Sequence, residues 1–228
     1  LTLAQYGELD VSKLDELPPG RQAIDTVVMG QDKIGLLVDR LAAQIAEGRQ
    51  AYWVCPMVRE SDGPEEIAAA EARYAALRER FGEDVVMVHG QLAPEIKDAA
   101  MERFASGDAK LLVATTVIEV GVDVPNATLM VIEQAERFGL AQLHQLRGRV
   151  GRGSAKSICI LLRGDTLSET PRDRLALMRE TQDGFQLAEE DLRLRGGGEL
   201  LGTRQSGDAA FRIADLEQIT RLLPAAHD

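Results

Sequence analysis

Three arginines, Arg147, Arg149 and Arg152, fall within six positions of this 228-residue chain, with Gly148 and Gly151 between them. A guanidinium is planar, always charged, and donates in a fork that matches two phosphate oxygens. The cluster therefore suits an anion, above all a phosphoryl group gathering negative charge in a transition state. Glycine inside a helix costs about 1 kcal/mol relative to alanine, so two of them beside three arginines imply that something approaches the backbone closely. The helical spacing of Leu140, Leu143 and Leu146 predicts a helix over 140–149, from which Arg149 and Arg152, three apart, project on one side. A solvated arginine face is the plain alternative, and the glycines argue against it.

A second set of candidates stands at predicted strand ends. Thr115 and Thr116 follow the apolar run Leu111 to Val113, where hydroxyls and backbone N–H groups can hold a nucleic-acid phosphate, although threonine is also an ordinary strand residue. His89, Gly90 and Gln91 follow the run Val85 to Val88, at the carboxyl rim where ligands enter open α/β sheets. The arginine pair is expected at that rim too. No carboxylate or nucleophile is spaced to make His89 a general base. Gly121 and Asp123 form a tight turn before Pro125.

The elements that position these residues alternate. Strands are predicted over Ile24 to Met29, Gln50 to Val54, Val85 to Val88, Leu111 to Val113, Ala127 to Ile132 and Ser157 to Leu162. Helices fill the intervals: Lys33 to Glu47 with Asp32 as N-cap, Pro64 to Phe81, and Pro94 to Ser106. This alternation predicts a parallel sheet with helices on both faces and right-handed crossovers. After Arg163 the pattern becomes helical, Pro171 to Thr181 and then a helix to Arg195 capped by Asp183. The short link at 182–184 predicts an antiparallel hairpin. A glycine-rich segment, RGGGELLGTRQSG, follows, and Phe211 to Leu223 has amphipathic spacing.

The net charge of −11 is awkward for a phosphate-binding protein, but it is uneven. Residues 1–136 hold 12 Lys and Arg against 24 Asp and Glu, whereas residues 137–228 hold 14 against 13. An anion-facing surface therefore belongs late in the chain. No apolar run approaches the roughly 20 residues needed to cross a bilayer, and a cytoplasmic location is expected. Cys55 and Cys159 sit in apolar runs without a ligand cluster and read as buried free thiols.

The residues Thr115 to Pro125 resemble motif V, and Gln145 to Arg152, QLRGRVGR, resembles motif VI, of the second RecA-like domain of superfamily 2 helicases and translocases. Cys55-Pro56-Met57 falls at motif IV. The string VIEVGVDVPNATLMVIEQAERFGLAQLHQLRGRVGRG is similar to the bacterial branch-migration helicases. Their relatives, the transcription-repair coupling translocases, share FGLAQLHQLRGRVGR. The GTRQSG ending favours the branch-migration group, in which a hairpin beside motif VI moves a loop against duplex DNA; Gly197 stands where that family would have proline.

The resemblance implies a RecA-like α/β domain over residues 1–162, then a helical hairpin, loop and C-terminal helix over 163–228. It implies an ATP-dependent translocase on branched double-stranded DNA such as stalled forks and Holliday junctions. ATP with Mg2+ would be held mainly by a first motor domain, because no G-x-x-x-x-G-K-[ST] loop occurs here. The start on Leu1 fits a chain cut from a longer polypeptide that also carries a wedge domain and acts as a monomer. By the same resemblance, Arg149 and Arg152 reach the γ-phosphate, Gln145 joins the nucleotide site, and Gly121 and Asp123 face the nucleotide. Gly90, Gln91, Thr115 and Thr116 touch DNA, while Arg195, Arg204 and Gln205 couple to the duplex. Arg147 is the least supported and could instead pair with Glu136 or Glu133. The rivals are a coupling-type translocase and a non-hydrolysing RecA-like scaffold.

Overall fold

The computed structural model describes residues 23–56, 64–115 and 124–195. Six strands, β1 (Ile24–Gly30), β2 (Gln50–Val54), β3 (Val85–Val88), β4 (Leu111–Ala114), β5 (Ala127–Ile132) and β6 (Ser157–Arg163), lie in the order β1-β6-β5-β2-β4-β3. Every neighbouring pair is parallel. The helices are α1 (Ile34–Ala46), α2 (Pro64–Phe81), α3 (Pro94–Ser106), α4 (Leu140–Arg147), α5 (Glu169–Glu180) and α6 (Gly184–Arg195). This is the predicted RecA-like arrangement.

Continuous apolar runs explain the sheet's interior. All residues of β2, β4 and β5 are buried, as parallel strands covered on both faces require. On one face Ala51, Trp53, Val113 and Val131 pack with Leu37 and Leu41 of α1 and Ala70 and Leu77 of α2. On the other, the Tyr52 ring meets Phe104 of α3 at 5.0 Å, and α5 packs on β1. Each fully buried large apolar side chain contributes about 1.5–3 kcal/mol, so these two layers hold the sheet.

Three boundaries differ from expectation. Residues Gln31–Lys33 form a 3-10 turn that contains Asp32, so Asp32 does not cap α1, which starts at Ile34. Helix α4 stops at Arg147 rather than Arg149. Of the described residues, 23–182 form one compact unit and 183–195 belong to a second, so α5 lies in the sheet's unit, beyond the expected 162/163 boundary. Helix α6 is capped as predicted: Asp183 Oδ1 accepts from the N–H of Phe185 at 2.8 Å.

At the carboxyl end of β5, Glu133 is 6% exposed and serves as a polar hub. Its carboxylate accepts from Trp53 Nε1, from Arg73 Nε and Nη2, and from Gln31 Nε2. Trp53 is thus a packed residue with its one donor satisfied, and β2, β5, α2 and the 3-10 turn are tied at one point. Removing one partner of a buried, hydrogen-bonded ion pair costs roughly 3–5 kcal/mol. Glu133→Ala is expected to lose about that much, measured by urea unfolding, and Glu133→Gln, which still accepts from Trp53, less; an unchanged midpoint in both would refute the hub.

Both cysteines are free and buried. Burial is the main reason the Cys159 thiol is pushed up to about 12, and it also raises Cys55. In the unfolded chain these thiols ionise near pH 8.5, roughly, so above that pH the folded state binds more protons and stability falls as pH rises. The urea midpoint is expected to drop between about pH 8.5 and pH 10.5, and to drop less in Cys55→Ala/Cys159→Ala. Equal slopes would contradict the burial.

Candidate functional site

The arginine cluster is built where α4 ends. Leu140, Leu143 and Leu146 are buried, and the helix closes with Gly148 N–H donating to His144 O at 3.0 Å and Arg149 N–H to Leu146 O at 3.0 Å. Gly151 has φ +76°, a left-handed conformation that glycine adopts without strain, and it turns the chain back toward β6. A Cβ on Gly153 would stand 2.8 Å from Pro125 O, so that glycine permits close approach of the segment preceding β5. Gly151 and Gly153 therefore answer to chain geometry, and Arg149 and Arg152 share a loop rather than a helical face.

This loop lies at the amino edge of the sheet, not at the expected carboxyl rim. Pro125 leads into β5, and the loop itself leads into β6. Arg149 is half-buried, while Arg152 and Gln145 are exposed. The closeness of Gly153 to Pro125 brings the end of motif V beside motif VI. Gly121, Asp123 and Thr116 lie outside the described residues, as do Arg204 and Gln205; Arg195 closes α6.

Arg147 is the cluster's structural member. It is 2% exposed, and its Nη1 donates to Met178 O at 2.7 Å, to Thr181 O at 2.9 Å and to Thr26 Oγ1 at 3.5 Å; Nη2 lies 3.0 Å from His144 Nδ1. The last carbonyls of a helix lack intrahelical donors, and a cation there also meets the negative end of the helix dipole. Arg147 supplies both to α5. Burial lowers its pKa from the ordinary guanidinium value. It pairs with neither Glu133, engaged by Arg73, nor Glu136, whose Oε1 accepts from Gly164 N–H at 3.0 Å. Just beyond, Gln182 pairs with both backbone groups of Ile24, at 3.1 and 3.2 Å, fixing the end of this unit to the first residue of β1.

The carboxyl rim carries a second constellation. The register puts His89, Thr115, Cys55 and Glu133 at the same level, one residue beyond β3, β4, β2 and β5. Thr115 is fully buried and its N–H donates to Val88 O at 3.3 Å, so that amide completes the ladder and is not offered to a ligand. Among the described residues, Thr115 Oγ1 and both ring nitrogens of His89 have no hydrogen-bond partner. Buried orphans of this kind cost about 1–3 kcal/mol each. Gly90 and Gln91 are exposed on the following turn, and Gly90 O accepts from Lys97 Nζ at 2.8 Å.

The amino-edge loop carries two guanidinium groups, half-buried Arg149 and exposed Arg152. Among the described residues no group of three or more His, Cys, Asp or Glu could hold a metal ion, and no helix is long and apolar enough to cross a membrane. The Glu133 hub escapes sequence inspection; its one signal is a charge closing the apolar run ATLMVI.

Arg147→Met is expected to lower unfolding stability by about 2–4 kcal/mol, because the buried Met178 carbonyl loses its donor at roughly 1–3 kcal/mol and the half-buried Thr181 carbonyl loses its own at the low end of that range. Arg147→Lys, which reaches one carbonyl, is expected to fall between. A urea midpoint equal to wild type in Arg147→Met would show that the contacts contribute nothing.

Comparison with known proteins identifies the family. The family model for the helicase conserved C-terminal domain matches residues 32–154, and that for the C-terminal part of domain 3 of the ATP-dependent DNA helicase RecG matches residues 181–227. The chain is 52% identical over 226 residues to the ATP-dependent DNA helicase RecG of Escherichia coli O157:H7, covering 98% of this chain and 32% of that protein. It is 46% identical over 228 residues to RecG of Bacillus subtilis strain 168, covering 99% and 33%. The chain thus spans about a third of the length of these curated relatives. Among solved structures, a RecG bound to a three-way DNA junction is 43% identical with a TM-score of 0.73, covering 97% of this chain and 28% of that one. The S. cerevisiae protein Dbp5 L327V, bound to RNA and ADP BeF3, is 19% identical with a TM-score of 0.55, covering 85% and 51%, and shares the fold alone. With one family model matching more than half its length, from α1 through β2–β5 to the arginine loop, the chain belongs to the helicase conserved C-terminal domain family.

Proposed function

We propose that this chain is the second motor domain of an ATP-dependent double-stranded DNA translocase that remodels branched DNA such as stalled forks and Holliday junctions. The observation that carries the reading is Arg147: the same short stretch that presents Arg149 and Arg152 is locked to the last turn of α5, immediately before the second compact unit. Support comes also from relatives named as DNA helicases and from the RecG bound to a three-way junction. They favour this reading over a coupling-type translocase. A non-hydrolysing scaffold is disfavoured by the intact GRVGR.

In this reading ATP with Mg2+ is held mainly by a first RecA-like domain of the same polypeptide, and its hydrolysis supplies the free energy for movement. Arg149 and Arg152 donate to the γ-phosphate oxygens, Gln145 orients the polar side of the same site, and Gly121 with Asp123 lines the nucleotide. Gly90, Gln91 and Thr116 hold the DNA backbone, with Thr115 behind them. A shift of the arginine loop moves α4, Arg147 passes it to the end of α5, and the segment bearing Arg195, Arg204 and Gln205 pushes on the duplex. A wedge domain of the same polypeptide engages the junction, and the protein works as a cytoplasmic monomer.

The 228-residue chain alone is expected to show no ATP turnover; measurable hydrolysis lost in Arg152→Ala would refute the two-domain account. In the protein at the length of its relatives, Arg152→Ala is expected to reduce DNA-stimulated ATP turnover by on the order of 10³. Arg204→Ala is expected to impair branch migration of a synthetic junction far more than ATP turnover; equal losses would remove the coupling role.

A further inference from the structure

A cavity of about 330 Å³ lies between α5, β1 and the loop after β6, apart from both constellations described above. Three arginines line it: Arg163 at the end of β6, and Arg172 and Arg179 on α5. Asp165 is its one carboxylate, leaving a local excess of positive charge in a chain whose net charge is −11. Arg163 is set in place by its Nη1 bonds to Gly164 O at 2.8 Å and Asp165 O at 3.3 Å. Among the described residues, none of the three forms a salt bridge with a carboxylate.

The wall between the charges is apolar. Arg172 and Arg179 are seven apart, so they leave α5 on nearly one side, about 10 Å apart along the axis. Leu175 and Ala176 sit between them and face Val28. Guanidinium forks around an apolar floor match a phosphodiester: the forks take the phosphate oxygens and the floor receives the carbon face of the sugar.

We propose that the cavity formed by Arg163, Arg172 and Arg179 seats a backbone phosphate of the duplex being moved, a DNA contact distinct from the amino-edge arginine loop and from the His89–Gln91 turn. The identity of the anion rests on the translocase reading; the cation excess does not. Because Arg147 grips the last turn of the same helix, a phosphate held here loads α5 directly.

The test uses the protein at the length of its RecG relatives, a fluorescent three-way DNA junction and a salt series. Each phosphate contact contributes about 0.9 to the slope of log K against log salt, so Arg172→Gln/Arg179→Gln is expected to flatten that slope by about 1–2 and weaken binding similarly for unrelated sequences. Arg172→Lys/Arg179→Lys is expected to keep the slope. Both side chains are exposed, so melting temperatures should match wild type and separate a lost contact from a lost fold. An unchanged slope in the glutamine variant, with wild type binding normally, overturns the cavity proposal alone. A wild type that binds no DNA overturns it together with the translocase reading. Inorganic phosphate binding lost in the glutamine variant without a change in slope marks a free-anion site and also overturns the DNA assignment.

Discussion

A buried guanidinium seeks every acceptor within reach, and Arg147 finds them on three elements. Its bonds to Met178 O, Thr181 O and Thr26 Oγ1 join α4, the end of α5 and β1 at the amino edge of the sheet. Without that cation the last turn of α5 would end on unmatched carbonyls, and the chain would reach Asp183 with a looser hold on the domain. The constraint is local, but Arg149 and Arg152 hang from the same helix end. Such a joint is stiff, because packed interfaces shift as units rather than stretch.

The opposite rim of the sheet uses another solution. There Glu133 collects donors from Trp53, Arg73 and Gln31, and fixes the ends of β2 and β5 against α2. Beside this satisfied hub stand His89 and Thr115, whose buried side-chain polar atoms have no partner among the described residues. One half of the rim is braced by the Glu133 carboxylate, and the other half carries buried polar atoms.

Much of the fold was legible because parallel strands buried on both faces must be continuously apolar. The runs at Gln50–Val54, Val85–Val88 and Ala127–Ile132 match the strands residue for residue. Asp183 was readable as a cap, since its short side chain reaches amides two and three residues on. Less was legible at the site. Helical periodicity cannot show that Gly148 stops α4 or that Gly151 takes a positive φ, so the arginine pair was read onto one helical face. The role of Arg147 depends on carbonyls 31 and 34 residues away, a separation that no local spacing encodes. The Glu133 hub is equally non-local. The arginines of the α5 cavity carry no motif, and what faces them depends on the loop after β6 and on β1, far away in the chain.

The central claim is that nucleotide contact at the Arg149–Arg152 loop reaches the end of α5 through Arg147. Backbone hydrogen exchange in the protein at the length of its relatives, with and without a non-hydrolysable ATP analogue, reads this directly. The account predicts that protection changes together in residues 148–153 and 178–182, and that in Arg147→Met the change stops at the loop. A nucleotide-dependent change confined to residues 148–153 in the wild type would contradict it.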